Sequence, residues 1–170
     1  MCFFGKRQLS GNELERLKHS PDEKYMRRAI ELAQEAWSKG EVPVGAVVVM
    51  DGQIVGEGFN RPISSNDPSS HAEIEALRDA ARNLGNYRLV GCDLFVTLEP
   101  CLMCAGAIQH ARISRLIFGA KDPKTGACGS VLNVFEDARI NHHASVTSGI
   151  LEEECGGILK QFFSEKRQKA

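Results

Sequence analysis

The chain has 170 residues, 42% hydrophobic and 25% charged, the balance of a globular protein with one substantial core. A formal net charge of −1 excludes nucleic-acid binding by bulk charge, so any such partner must be held by local basic patches and by shape. No apolar run reaches the roughly 18 residues of a membrane span, and the apolar residues opening "MCFFGKRQLS" are too few for a signal-peptide core. The expectation is a cytoplasmic protein without a membrane partner, whose six cysteines are free thiols or metal ligands rather than disulfides.

Residues 1–20 read as a polar N-terminal extension, partly disordered, with a short helix around "NELERLKH"; residues 21–170 read as one domain. A helix follows, with Ser20 as cap, Pro21 in the first turn and Glu23 completing a capping box. Met26, Ala29, Ile30, Ala33 and Trp37 make its apolar stripe, and Gly40 ends it. "VGAVVVMDGQIVGEGF" is a β-hairpin turning at Asp51-Gly52. "NRPISSNDPSS" is a polar loop and "HAEIEALRDAARNLG" a second amphipathic helix. Strand "CDLFVTL", helix "CLMCAGAIQHA" and strand "ISRLIFGA" come next. Loop "KDPKTGACGS", a short strand in "ASVTSGI" and a C-terminal helix, "LEEECGGILKQFFSEKRQ", close the chain. Gly156 and Gly157 weaken that last helix by about 1 kcal/mol each relative to Ala. Strands alternating with helices predict an α/β layer fold with a largely parallel half; the hairpin makes the sheet mixed.

Strand "LFVTLE" runs into Pro100, which stops it. Cys101 and Cys104 then occupy the first turn of a helix, three residues apart and on one face. A helix N-terminus favours thiolates, so this spacing suits two metal ligands. Alone, the pair also allows a redox dithiol or a structural zinc. His71 opens another helix and supplies a third ligand, and three protein ligands with one open position describe catalytic zinc. By itself His71 reads equally as a helix cap. Glu73 alone reads as an acid complementing the helix dipole. Residues two apart on a regular helix point about 200° apart, so His71 and Glu73 can share a site only at its extreme start. There Glu73 is a general acid/base and not a ligand.

H-A-E followed by P-C-x-x-C is the signature of the zinc deaminases that act on nucleobases. "VPVGAVVV", "GEGFNRPI", "DPSSHAEIEALR", "NYRL", "LFVTLEPCLMCAGAIQHARI", "FGAKDPKTGACGS" and "NHH" resemble, in order, the bacterial tRNA-specific adenosine deaminases over about residues 21–167. The resemblance implies a three-layer α/β/α sandwich around a five-stranded mixed sheet. It implies one Zn2+ per subunit on His71, Cys101 and Cys104, and a homodimer. The partner it implies is a tRNA anticodon loop, typically of an arginine tRNA, whose wobble adenosine becomes inosine. Water would add at C6 of the flipped purine while Glu73 moves its proton to the ring nitrogen and the departing ammonia. A backbone amide near Cys101 would stabilise the developing charge.

The resemblance further implies that Asn60 contacts the flipped nucleoside, with Val44, Phe59 and Ala72 walling the pocket. Without it, Asn60 reads as a turn residue at a strand end. Lys121, Asp122 and Lys124 fall in the segment matching an anticodon-contacting loop. Phe162, Phe163, Lys166 and Arg167 put aromatics beside cations, a combination suited to single-stranded bases and phosphates; the bland reading is core phenylalanines and a solvated basic tail. His142 and His143 are expected in loop or dimer contacts, and His110 on the far side of the zinc helix. Two rivals remain open here. One is a deaminase of free guanine, cytosine or cytidine; the other is a non-catalytic zinc-bearing subunit, whose fourth ligand would be Cys128 or, less suitably, Cys92.

Overall fold

A computed structural model of the chain describes residues 20–169; the expected short helix around "NELERLKH" lies outside them. The elements in chain order are α1 (Pro21–Ser38), β1 (Gly45–Met50), β2 (Gln53–Phe59), α2 (Pro62–Ser65), α3 (Ala72–Leu84), β3 (Asp93–Leu98), α4 (Leu102–His110), β4 (Arg115–Ala120), β5 (Ser145–Ser148) and α5 (Glu152–Lys169). The sheet order is β2-β1-β3-β4-β5. β1 is antiparallel to β2 and β3, whereas β3, β4 and β5 run parallel. The expected mixed sheet with a parallel half is therefore present.

Strand alternation divides the core into two layers. Ala46, Val48, Leu94, Val96, Leu116 and Phe118 face α3 and α4. Val47, Val49, Phe95 and Ile117 face α1 and α5. The hairpin turns with Asp51 at φ 49° and Gly52 at φ 75°, the left-handed pair that matches strand twist. In β2, Gly56 and Gly58 let α3 lie directly on the strand. A Cβ on Gly56 would stand 2.5 Å from the Ala76 carbonyl oxygen, and one on Gly58 2.5 Å from that of Ala72.

Two local expectations need correction. Ser20 sits at the N-cap of α1 in extended conformation, but its hydroxyl makes no capping hydrogen bond; Pro21 occupies the first turn as expected. The segment read wholly as a loop contains α2. Pro62 starts that turn of helix, Asn66 ends it in the left-handed conformation, and the buried Glu41 carboxylate accepts from the Ile63 and Ser64 N–H groups at its start. A partner remote in sequence makes this helix, so local pattern does not reveal it.

The parallel half fixes where a ligand goes. Crevices open beyond the carboxyl ends of parallel strands, beside the point where strand order reverses. At that end lie Leu98 of β3, Ala120 of β4, Val44 before β1 and Asn60 after β2. Both α3 and α4 begin there.

Candidate active site

Each of the two helices starts with a candidate metal ligand in the N-cap position. His71 caps α3 with φ −78° and ψ 156°, and Cys101 caps α4 with φ −74° and ψ 172°. His71 thus precedes the helical turn, and this resolves the spacing problem: it lies outside the 3.6-residue period while Glu73 lies within it. Cys104 follows in the first turn of α4. His71 Nδ1 lies 3.7 Å from Cys101 Sγ and 3.6 Å from Cys104 Sγ. Zinc bonds of about 2.3 Å to sulfur and 2.0–2.1 Å to nitrogen at tetrahedral angles set N···S separations of about 3.6 Å. The three side chains therefore fit the metal without rearrangement, and they form the candidate metal cluster among the described residues.

The electrostatics agree with a site built for a cation. The hydrogen bonds to Cys104 and then to His71 hold Cys101 down at about 4. The proton shared with Cys101, together with burial, drives Cys104 the other way; a dication deprotonates both. Glu73 is buried, and burial pushes its carboxyl up to about 7 against the opposing pull of His71. A carboxylate beside the metal position is placed to take a proton from metal-bound water and to give it to a substrate.

A cavity of about 710 Å³ opens over this cluster, lined by Val44, Asn60, His71, Glu73 and Cys101 among others, within the roughly 300–1,000 Å³ of small-ligand sites. Asn60 is buried at the end of β2, and its Oδ1 accepts the Ala72 N–H at 2.8 Å. The carbonyl end of the amide is thereby committed to the start of α3, leaving the NH2 end as the donor for a ligand. Phe59 and Ala72 do not line the cavity. Alternation along β2 turns Phe59 to the opposite face, where the Lys39 ammonium sits 4.3 Å from its ring centroid. Ala72 is wholly buried against β2 and contributes its N–H to Asn60.

Lys121, Asp122 and Lys124 all line the mouth. The Asp122 carboxylate, however, accepts from the Lys124 and Thr125 N–H groups, so it shapes the loop. The C-terminal helix splits the four residues expected to act together. Phe163 and Arg167 line the cavity with Leu159 and Lys160. Phe162 is buried with its ring edge-on to Trp37 at 5.6 Å, and Lys166 lies over that ring. Leu159 and Lys160 went unpredicted; the spacing 159, 163, 167 along one helical face is the signal that finds them. Val42, Pro62 and Leu98 were also missed, because only the fold brings them to the opening.

Among the described residues, Cys128 and Cys92 stand outside the metal cluster; Cys92 is buried at the start of β3. His142 and His143 bond the Ile113 and Phe135 carbonyl oxygens, and His110 is at the opposite end of α4 from the cysteines. An open α/β sheet that sets a His-Cys-Cys cluster and a buried carboxyl at the starts of two helices has the donor set of a catalytic zinc site, with three protein ligands and a general acid/base beside an open position.

Comparison with known proteins refines the class. The family model of the cytidine and deoxycytidylate deaminase zinc-binding region matches residues 19–120. The tRNA-specific adenosine deaminase of Haemophilus influenzae is 56% identical over 149 residues, 87% of this chain and 86% of that protein. A structure from a study of A-to-I editing by tRNA:A34 deaminases superposes with TM-score 0.78 at 46% identity, over 80% of this chain and 99% of the other. Guanine deaminase from Bacillus subtilis gives TM-score 0.57 at 45% identity, over 58% and 64%. The chain belongs to the zinc-binding cytidine-deaminase-like family, in its branch of tRNA-specific adenosine deaminases.

Proposed function

We infer that this chain converts adenosine to inosine at the wobble position of a tRNA anticodon by zinc-dependent hydrolytic deamination. The observation that carries the reading is one cavity with two linings: a floor of His71, Glu73 and Cys101, with buried Cys104 completing the metal cluster behind it, and a mouth bearing Lys121, Lys124, Lys160, Arg167 and Phe163. A free base brings no phosphate for those cations, whereas an extruded nucleotide with its neighbours does. This weighs against the guanine deaminase reading, and the absence of Cys128 from the cluster weighs against a purely structural zinc.

His71, Cys101 and Cys104 would hold the metal, which supplies a water of lowered pKa in its open position. Glu73 would accept the proton from that water and deliver it to the purine ring nitrogen and then to the leaving ammonia. Asn60 would donate from its NH2 end to the extruded nucleoside, and buried Val44 would exclude solvent beside it. Phe163 offers a stacking face, and the four cations pair with phosphates flanking the target.

The arginine tRNA and the homodimer are carried from the resemblance. Exposed Leu102, Met103, Val131 and Leu132, on α4 and on the loop bridged to its start through Cys101 and Gly126, are suited to burial by a second copy. No described helix is long and apolar enough to cross a membrane; a cytoplasmic location follows from the substrate. The test is inosine formation on an anticodon stem-loop with adenosine at the wobble position, alongside free adenosine, cytidine and guanine. Turnover confined to the stem-loop supports the reading; turnover of a free base or nucleoside overturns it.

A further inference from the structure

Two buried carboxylates flank the cavity and take no part in the chemistry. Glu41 is wholly buried, and its Oε1 and Oε2 accept the Ser64 N–H at 2.7 Å and the Ile63 N–H at 3.3 Å. These bonds hold the segment carrying Asn60 and Pro62, one lip of the opening. Glu99, 2% exposed, holds the other lip. Its Oε2 accepts the Asp122 N–H at 3.0 Å and the Ser130 hydroxyl. Its Oε1 accepts the Cys128 N–H at 2.9 Å and the Ser130 N–H at 3.1 Å. The segment so tied carries Lys121, Lys124 and Thr125, which line the mouth.

Burying a carboxylate is costly unless donors satisfy it. In both cases each oxygen faces at least one main-chain N–H. An amide of the same shape cannot replace it, because either flip sets an NH2 group against an N–H. The loop side shows the same fit: a Cβ on Gly126 would stand 2.4 Å from Glu99 Cδ and 2.6 Å from the Asp122 carbonyl oxygen.

We propose that Glu41 and Glu99 are positioning residues that clamp the two lips of the cavity, and that they set RNA recognition rather than the chemical step. The proposal rests on the wobble-adenosine reading for its substrate. The clamps act through the backbone of residues 61–65 and 121–130, so their loss loosens the surface that meets the anticodon loop; His71, Glu73, Cys101 and Cys104 stay held at the starts of α3 and α4, although the Cys101–Gly126 bridge is one tie to the loosened segment.

The experiment uses the zinc-loaded full-length chain with Glu41→Gln, Glu99→Gln and, as a variant that leaves both carboxylates intact, Gly126→Ala. Hydrogen–deuterium exchange is read across the two segments, and kcat and KM are measured on the anticodon stem-loop. Faster exchange is expected over 61–65 in the first variant and over 121–130 in the other two, with one zinc per chain retained. KM should rise roughly tenfold or more, the scale of a lost charge-assisted hydrogen bond, with kcat within about threefold of the parent. Unchanged exchange in all three variants overturns the clamp, as does faster exchange with unchanged KM or a fall confined to kcat. If the parent itself fails to turn over the stem-loop, the reaction reading fails, and the exchange measurement alone decides the clamp.

Discussion

The floor and the mouth of the cavity are built on different physical terms. The floor consists of short side chains at helix starts, where the backbone itself fixes position: half-buried His71 and Cys101 as N-caps, buried Glu73 and Cys104 in the first turns. The mouth consists of long, exposed side chains on α5 and the 121–130 segment, placed by tertiary contacts and by Glu99. A reaction needs atoms held rigidly at a few points, which helix starts provide. An RNA loop needs charge and stacking area spread over a wider surface, which flexible cations and an exposed ring provide at less cost in rigidity.

The contrast is broken most severely at the floor. Cys101→Ala or Cys104→Ala should lose zinc and all measurable deamination, with a lower melting temperature because metal and folding are coupled. Metal analysis giving one zinc per chain in either variant contradicts ligation by that cysteine. Glu73→Ala should retain zinc and fold while turnover falls about 10²-fold or more; normal turnover would remove Glu73 from its role.

At the mouth, neighbouring residues separate structure from recognition. Phe162→Ala opens a cavity against Trp37 and should cost about 3 kcal/mol or more in denaturant unfolding. Phe163→Ala should leave stability nearly unchanged and raise KM for the stem-loop about fivefold, through lost stacking. Equal stability losses in the two variants would contradict the split of the helix. Arg167→Ala should weaken stem-loop binding and reduce the slope of log affinity against log salt by about one, while Lys166→Ala leaves that slope unchanged.

The smallest effect is on acid stability. Burial alone would raise the Glu41 carboxyl, but the N–H groups of Ser64 and Ile63 prevail and hold it below its ordinary 4.5. A carboxyl depressed in the folded state contributes stability that is present above that ordinary value and lost as pH falls through the folded one. Glu41→Gln should therefore flatten the fall in stability on acidification below about pH 4.5. Parallel acid curves for parent and variant would contradict this.

The same contrast governs what could be read in advance. The H-A-E and P-C-x-x-C runs place their side chains through local geometry, so their residues alone disclosed the floor and the two helix starts. The five strands and the mixed character of their sheet were legible from β-rich runs, the Asp51-Gly52 turn and the interleaving of strands with helices; the order β2-β1-β3-β4-β5 was not. Period-two alternation puts Phe59 on the sheet face opposite Asn60, so the pleat, and not the resemblance, gives its position. α2 was missed because its start is capped by Glu41, some twenty residues away in sequence. Lys160 and Leu159 entered the mouth only once α5 was seated on the sheet, and Glu99 acquired its partners only when residues 121–130 folded back over it.

The most direct test of the central claim is the zinc coordination itself. Anomalous scattering at the zinc edge from crystals of the metal-loaded protein should show a single peak bonded by His71, Cys101 and Cys104, its fourth position taken by a non-protein ligand beside Glu73. A peak bonded by four protein side chains, with Cys128 among them, would make the centre structural and contradict the catalytic account.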